Sequence, residues 1–182
     1  AITLLRMPAV IKFLLSGILL LYSSGCDSSK PADSSPEEQA AAKILVFSKT
    51  EGYRHASIPD GVQALRKVAT EQGWIVDHTE QAGIFDSDSL NDYQAVIFLS
   101  TTGDILNESQ QSALQAYIQQ GGGFAGIHAA TDTEYHWPWY GRMIGAYFDS
   151  HPQIQEARLE VTMTDHPSTQ ELPVEWLRTD EW

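Results

Sequence analysis

The feature that most restricts the fold is a series of short, unbroken apolar runs separated by segments of helical period. Lys43-Ile-Leu-Val-Phe-Ser48, Tyr93-Gln-Ala-Val-Ile-Phe-Leu-Ser100 and Phe124–Ile127 carry apolar residues at successive positions. Both faces of such a run must be buried, which is the condition of strands in a parallel sheet covered by helices. Trp74–His78 reads as a further strand. Between these runs, Val62, Leu65 and Ala69 recur at helical spacing after Ser57 and Pro59, and Gly73 closes that segment. Asn107 is placed to cap a second helix with Leu114, Tyr117 and Ile118 on its core face, stopped by Gly121, Gly122 and Gly123. Strand and helix in alternation predict an α/β domain built on an open, doubly wound parallel sheet. Arg158–Met163 is expected to form one more strand, and no internal repeat is present.

The chain ahead of this domain has the character of a targeting segment. Met7–Lys12 is a short, positively charged start, and Phe13–Tyr22 is an apolar run too short for an ordinary transmembrane helix. Ser23, Ser24, Gly25 and Cys26 follow, with small residues where a signal peptidase requires them. The pattern resembles a lipobox, although Ser23 stands where such motifs usually carry Leu. Residues 1–26 are therefore read as a lipoprotein signal peptide with Cys26 as the lipidation site. The alternative is a secretory signal in which Cys26 is incidental. Cys26 is the only cysteine, so no disulfide can form within the chain. Lipid on Cys26 would hold the domain to a membrane without crossing it, in the cell envelope and facing the periplasm or the outside. Residues 27–42 are polar and rich in Ser and Pro, the composition of a flexible tether.

Composition narrows the partners. The chain carries 11 Lys and Arg against 24 Asp and Glu, a net charge of −13. Arg6 and Lys12 are the only charges before Cys26, so the exported part stands two units lower, at −15. A surface of that sign does not track a phosphate backbone, and no nucleic acid is expected as a partner. Ligands of open α/β sheets bind outside the carboxyl ends of the strands. Four loops are placed there: Lys49–Pro59, Ser100–Leu106, His128–Tyr140 and the turn around His151. Five of the six histidines fall outside the predicted elements, and His55, His128 and His151 lie in or beside these loops.

Several ordered blocks carry a resemblance. They are Thr50–Pro59 (TEGYRHASIP), Leu99–Asp104 (LSTTGD), Gly121–Asp132 (GGGFAGIHAATD), Trp137–Gly141 (WPWYG), Gly145–Pro152 (GAYFDSHP) and Asp165–Thr169 (DHPST). In this order they resemble the ThuA-like family, named for trehalose utilisation, over residues 43–182. The resemblance implies a flavodoxin-like, class I glutamine amidotransferase-like fold and a link to the use of disaccharides and their oxidised keto forms. The family domain is expected to run beyond Trp182, so the ThuA-like domain is read as incomplete, with Arg178–Trp182 interrupting it. Amidotransferases of this fold carry a G-x-C-x-G elbow where this chain has Gly126-Ile127-His128-Ala129-Ala130. That cysteine is absent and no G-x-S-x-G occurs, so a glutamine amidotransferase is not expected.

The candidate chemistry rests on imidazoles. His128 at the end of the fourth strand can accept or donate a proton, with Asp132 as its partner and His55 in support. His55, His128 and His151, each from a separate loop, would also suit a divalent metal such as Zn²⁺ with an open fourth position. The alternative for each is a hydrogen-bonded structural histidine. Tyr135–Tyr140 is rich in flat aromatic rings of the kind on which sugars stack, with Trp137 and Tyr140 the expected contacts. Arg54, Thr102, Asp104 and His151 complete the expected substrate-binding set. Two functions follow: a membrane-tethered hydrolase or lyase-like enzyme acting on a small carbohydrate, or a sugar-binding lipoprotein without catalysis.

Overall fold

The computed structural model describes residues 41–86 and 88–180. The signal peptide, Cys26 and nearly all of the tether lie outside the described residues. Among the described residues, no helix is long and apolar enough to cross a membrane. The chain divides into two compact units, one reaching Ala146 and the other beginning at Tyr147.

The first unit contains the sheet. Its strands are β1 (Lys43–Phe47), β2 (Ile75–Thr79), β3 (Ala95–Leu99) and β4 (Gly123–Ile127), all parallel, in the order β2-β1-β3-β4. Every strand expected in this unit is present, within two residues at either end. Helix α1 (Ile58–Gln72) links β1 to β2, and α2 (Glu108–Gln119) links β3 to β4. These two crossovers run in opposite directions along the sheet, so right-handed connections place the helices on opposite faces. On the α1 face, Val46, Ile58, Val62 and Leu99 form a buried cluster, joined by Leu65, Val76, Ile97 and Ile127.

The other face is aromatic. The Phe98 ring lies 5.4 Å from Phe47, 5.1 Å from Phe124 and 6.0 Å from Tyr140. Phe85, on the short 3₁₀ turn Ala82–Asp86, meets Phe47 edge-on at 4.9 Å. Register explains the grouping, because Phe47 pairs with Phe98 and Phe98 with Gly126 across the strands.

Helix ends follow the sequence with one exception. Asn107 makes a full capping box: its side chain accepts from Gln110 N–H, while the Gln110 side chain accepts from Asn107 N–H. Gly73, at φ 70°, ends α1 in the left-handed conformation that favours glycine. Ser57 occupies the N-cap position of α1, yet its side chain makes no capping hydrogen bond. The His55 carbonyl instead accepts from Ile58 N–H at 3.3 Å. Ile118 is only half-buried, and Gln110 takes its expected place on the core face of α2. A third helix, α3 (Pro138–Ile144), forms where the sequence reading had an aromatic loop. Pro138 stands in its first turn, where a missing N–H has no consequence.

The second unit contains an antiparallel hairpin of β5 (Gln155–Glu160) and β6 (Glu175–Asp180), with Arg158 opposite Leu177 and Leu159 opposite Trp176. β5 begins three residues before the expected Arg158 start. The last residues of β6, Arg178–Asp180, pair with β5.

Phe98 is fully buried and touches four other aromatic rings. Replacing it by alanine should lower stability by about 4 kcal/mol in urea unfolding, the usual range for a buried phenylalanine.

Candidate functional site

The loops after β1, β3 and β4 leave the carboxyl edge of the sheet in the first unit, and hydrogen bonds stitch these three together. The β1 loop joins the β3 loop through Glu51 N–H, which donates to the Thr102 carbonyl at 2.8 Å. Thr102 Oγ1 adds a bond to the Tyr53 carbonyl at 3.0 Å and accepts from Gly52 N–H at 3.2 Å. The β3 loop joins the β4 loop through Gly103 N–H to the Asp132 carbonyl at 2.8 Å and Glu134 N–H to the Gly103 carbonyl at 3.1 Å. Thr101 and Thr133, both fully buried, bond through their hydroxyls at 2.9 Å.

Glu134 closes this edge. It is 1% exposed, and one carboxylate oxygen accepts from Ile105 N–H at 2.8 Å and Leu106 N–H at 2.7 Å. The other oxygen accepts from Gln111 Nε2 at 2.7 Å. Burial pushes its pKa up, opposed by the bonds from Leu106, Gln111 and Ile105.

His128 stands at the turn after β4. Its φ is 54°, a left-handed conformation that L-residues avoid at roughly 1–2 kcal/mol. Ser100, after β3, and Glu134 share it at 50° and 56°. The turn is tight enough that a Cβ on Gly126 would stand 2.9 Å from Ala130 Cβ. The chain therefore breaks from strand into the 3₁₀ turn His128–Thr131 within one residue, and His128 is left exposed. His55 meets it from the β1 loop, with ring centroids 4.5 Å apart and planes at 83°. Tyr53 stands edge-on to His55 at 4.8 Å. Two of the three expected imidazoles are thus neighbours.

Other expected site residues fall differently. The Asp132 carboxylate, expected to serve His128, accepts from the Tyr135 hydroxyl at 2.7 Å. Thr102 is fully buried and bonded to the backbone of Gly52 and Tyr53, so it shapes the loop instead of meeting a ligand. Tyr140 is also fully buried, with its hydroxyl donating to the Ala130 carbonyl at 2.7 Å, and offers no face to a sugar. Trp137 stacks on Trp139 at 5.1 Å and on Tyr140 at 5.9 Å, and both tryptophans remain half-exposed. Both Arg54 nitrogens of the guanidinium fork engage Glu80, at 3.1 and 2.7 Å. Asp104 is exposed on the β3 loop. His151 belongs to the second unit, where its Nδ1 donates to the Pro152 carbonyl at 2.8 Å. Among the described residues, no group of three His, Cys, Asp or Glu side chains is gathered as a metal centre.

A parallel sheet of order β2-β1-β3-β4 flanked by helices, with imidazoles on the loops at its carboxyl edge, defines an α/β protein of flavodoxin-like arrangement. Residues 43–182 match the ThuA family model, described as trehalose utilisation, and the chain belongs to that family. A ThuA-like protein from Bacteroides uniformis ATCC 8492 superposes with a TM-score of 0.66 at 23% identity, over 85% of this chain and 64% of its own. One from Parabacteroides merdae ATCC 43184 gives 0.62 at 21% identity, over 78% and 62%. The protein thus spans under two thirds of either neighbour, and these likenesses concern the fold. No protein of curated function matches the chain.

Glu134→Ala should destabilise the protein by about 3 kcal/mol, because two buried N–H groups lose their acceptor. Glu134→Gln should cost far less, since an amide oxygen can still accept from both. A raised folded pKa means the folded state binds this proton more tightly than the unfolded chain does. Its stabilising contribution is complete below the ordinary value of 4.5 and is lost as pH rises through the raised value. Chemical unfolding from pH 4 upward should show wild type losing stability relative to Glu134→Gln. Parallel curves would contradict the assignment.

Proposed function

We propose that the protein is a carbohydrate-active enzyme of the ThuA family, acting on a disaccharide or its oxidised keto form by proton transfer at His128. The observation that supports this reading most is the edge-to-face His55–His128 pair on a strained turn at the carboxyl edge of the sheet. Imidazole is the side chain whose charge changes between pH 5 and 8, so it can both take and return a proton. An exposed imidazole at the strand end is open to a ligand, while the T-shaped contact fixes the orientation of its neighbour. In a hydrolytic step, one imidazole takes a proton from water as it attacks the anomeric carbon, and the leaving hydroxyl receives one. In a lyase-like step on a keto sugar, the base removes the acidic proton beside the carbonyl, and elimination expels the second sugar. Either course needs one base and one acid, and the pair supplies two groups able to take these roles.

The half-exposed Trp137 and Trp139 are suited to a sugar face, and Asp104 and Asp132 to its hydroxyls. The reading also places the protein in the cell envelope, held by lipid on Cys26 with residues 27–42 as a tether.

The purified protein should be incubated with disaccharides and their 3-keto derivatives, with and without divalent metal, and products followed by mass spectrometry. Turnover is expected, and His128→Ala should reduce it by roughly 10²–10⁴-fold. Tight binding without turnover, unchanged in His128→Ala, would instead make the protein a sugar-binding lipoprotein. For the anchor, cells expressing the protein should incorporate labelled palmitate, and Cys26→Ser should abolish the label. Label retained in that variant would overturn the lipidation site.

A further inference from the structure

A second polar cluster lies at the junction of β1 and β2, and the chemistry above does not use it. Ser48, the first residue after β1, is fully buried, and its Oγ stands 2.7 Å from His78 Nε2 on β2. A serine beside a histidine is the arrangement of an activated nucleophile. Burial rules that role out here, because no substrate atom can reach Ser48 Oγ in this conformation. Two residues beyond His78, Glu80 takes the Arg54 guanidinium in a two-pronged ion pair. That contact holds the Arg54 side chain above its ordinary pKa and the Glu80 carboxyl below its own.

These contacts share one target. Ser48 opens the β1 loop, and Arg54 directly precedes His55, whose carbonyl accepts from the first N–H of α1. The exit of β2 therefore grips the loop near both ends, while Thr102 of the β3 loop holds its middle through residues 51–53. His55 has its backbone fixed from two sides of β1, and its ring stands edge-on to His128.

We propose that His78 and Glu80 are positioning residues for His55, acting through Ser48 and Arg54 to hold it against His128. The assignment rests on the reading of that pair as the reacting groups, but its test needs no turnover. His78 faces Glu80, Arg54 and, from α1, Arg66, and burial lowers its own pKa. Burial thus favours its neutral form, in which the hydrogen bond to Ser48 is made without a charge that would compete with Arg54 for Glu80.

The experiment is an NMR titration of the imidazoles of the full protein, combined with amide hydrogen exchange over residues 49–57. In wild type, the signals of His55 and His128 should each respond to titration of the other. His78→Ala and Glu80→Ala should lose that mutual response and exchange the 52–56 amides about fivefold faster, the size of effect expected of one neutral hydrogen bond or one partly exposed ion pair. His78→Gln retains a partner for Ser48 and should restore both readouts. Should the alanine variants unfold, His78→Gln and Glu80→Gln still decide the matter: the first must resemble wild type and the second must not. Unchanged coupling and exchange in the Glu80 variants, or failure of His78→Gln to rescue, would overturn the proposal. If coupling behaves as stated while no sugar is turned over, the functional reading fails and the positioning role stands.

Discussion

The carboxyl edge of the sheet depends on one buried carboxylate. Removing Glu134 from water is unfavourable unless its oxygens are bonded, and the Ile105 and Leu106 N–H groups and Gln111 supply the bonds. Those groups belong to the segment that runs into α2, whereas Glu134 belongs to the loop after β4. The same interaction therefore satisfies backbone donors that would otherwise be orphaned and fixes the distance between two loops. The Thr101–Thr133 bond and the Gly103 bridge repeat that linkage one step nearer the strands. With the loops so joined, left-handed backbone at Ser100, His128 and Glu134 can be sustained, since a free loop would relax out of it.

The sheet order gives this stitching its consequence. Chain paths diverge between β1 and β3, which leaves a crevice at their carboxyl ends where ligands of such folds bind. The β1 loop crosses that position with Tyr53, Arg54 and His55, and the β4 turn brings His128 to it. Under the proposed function, the imidazole at that turn supplies proton transfer.

The strands were legible because a strand buried on both faces has to be apolar at every position. Val46, Val96, Phe98 and Leu99 satisfy that rule directly. The Asn107 cap was legible too, as a short polar side chain just ahead of a helical period. His55 and His128 stood out as histidines on loops beside strand ends, and their rings are neighbours. Glu134, Ser48 and Glu80 were not foreseen, since an acidic or hydroxyl residue in a loop has the same sequence signature whether it is solvated or buried. Tyr140 and Thr102 were misplaced for the converse reason: an aromatic or hydroxyl suited to a sugar is equally suited to packing beneath the loop. β6 escaped because Trp176, Leu177 and Arg178 lack a clean alternation, and their pairing comes from β5 across a long turn.

The central claim is that a carbohydrate ligand meets this protein at the His55–His128 edge of the sheet. Chemical-shift mapping with a 3-keto disaccharide tests it most directly. Perturbations concentrated at Tyr53, His55, His128, Asp132 and Tyr135, saturating with ligand, are the predicted result. Saturable binding that leaves those residues unmoved and perturbs another surface would contradict the account.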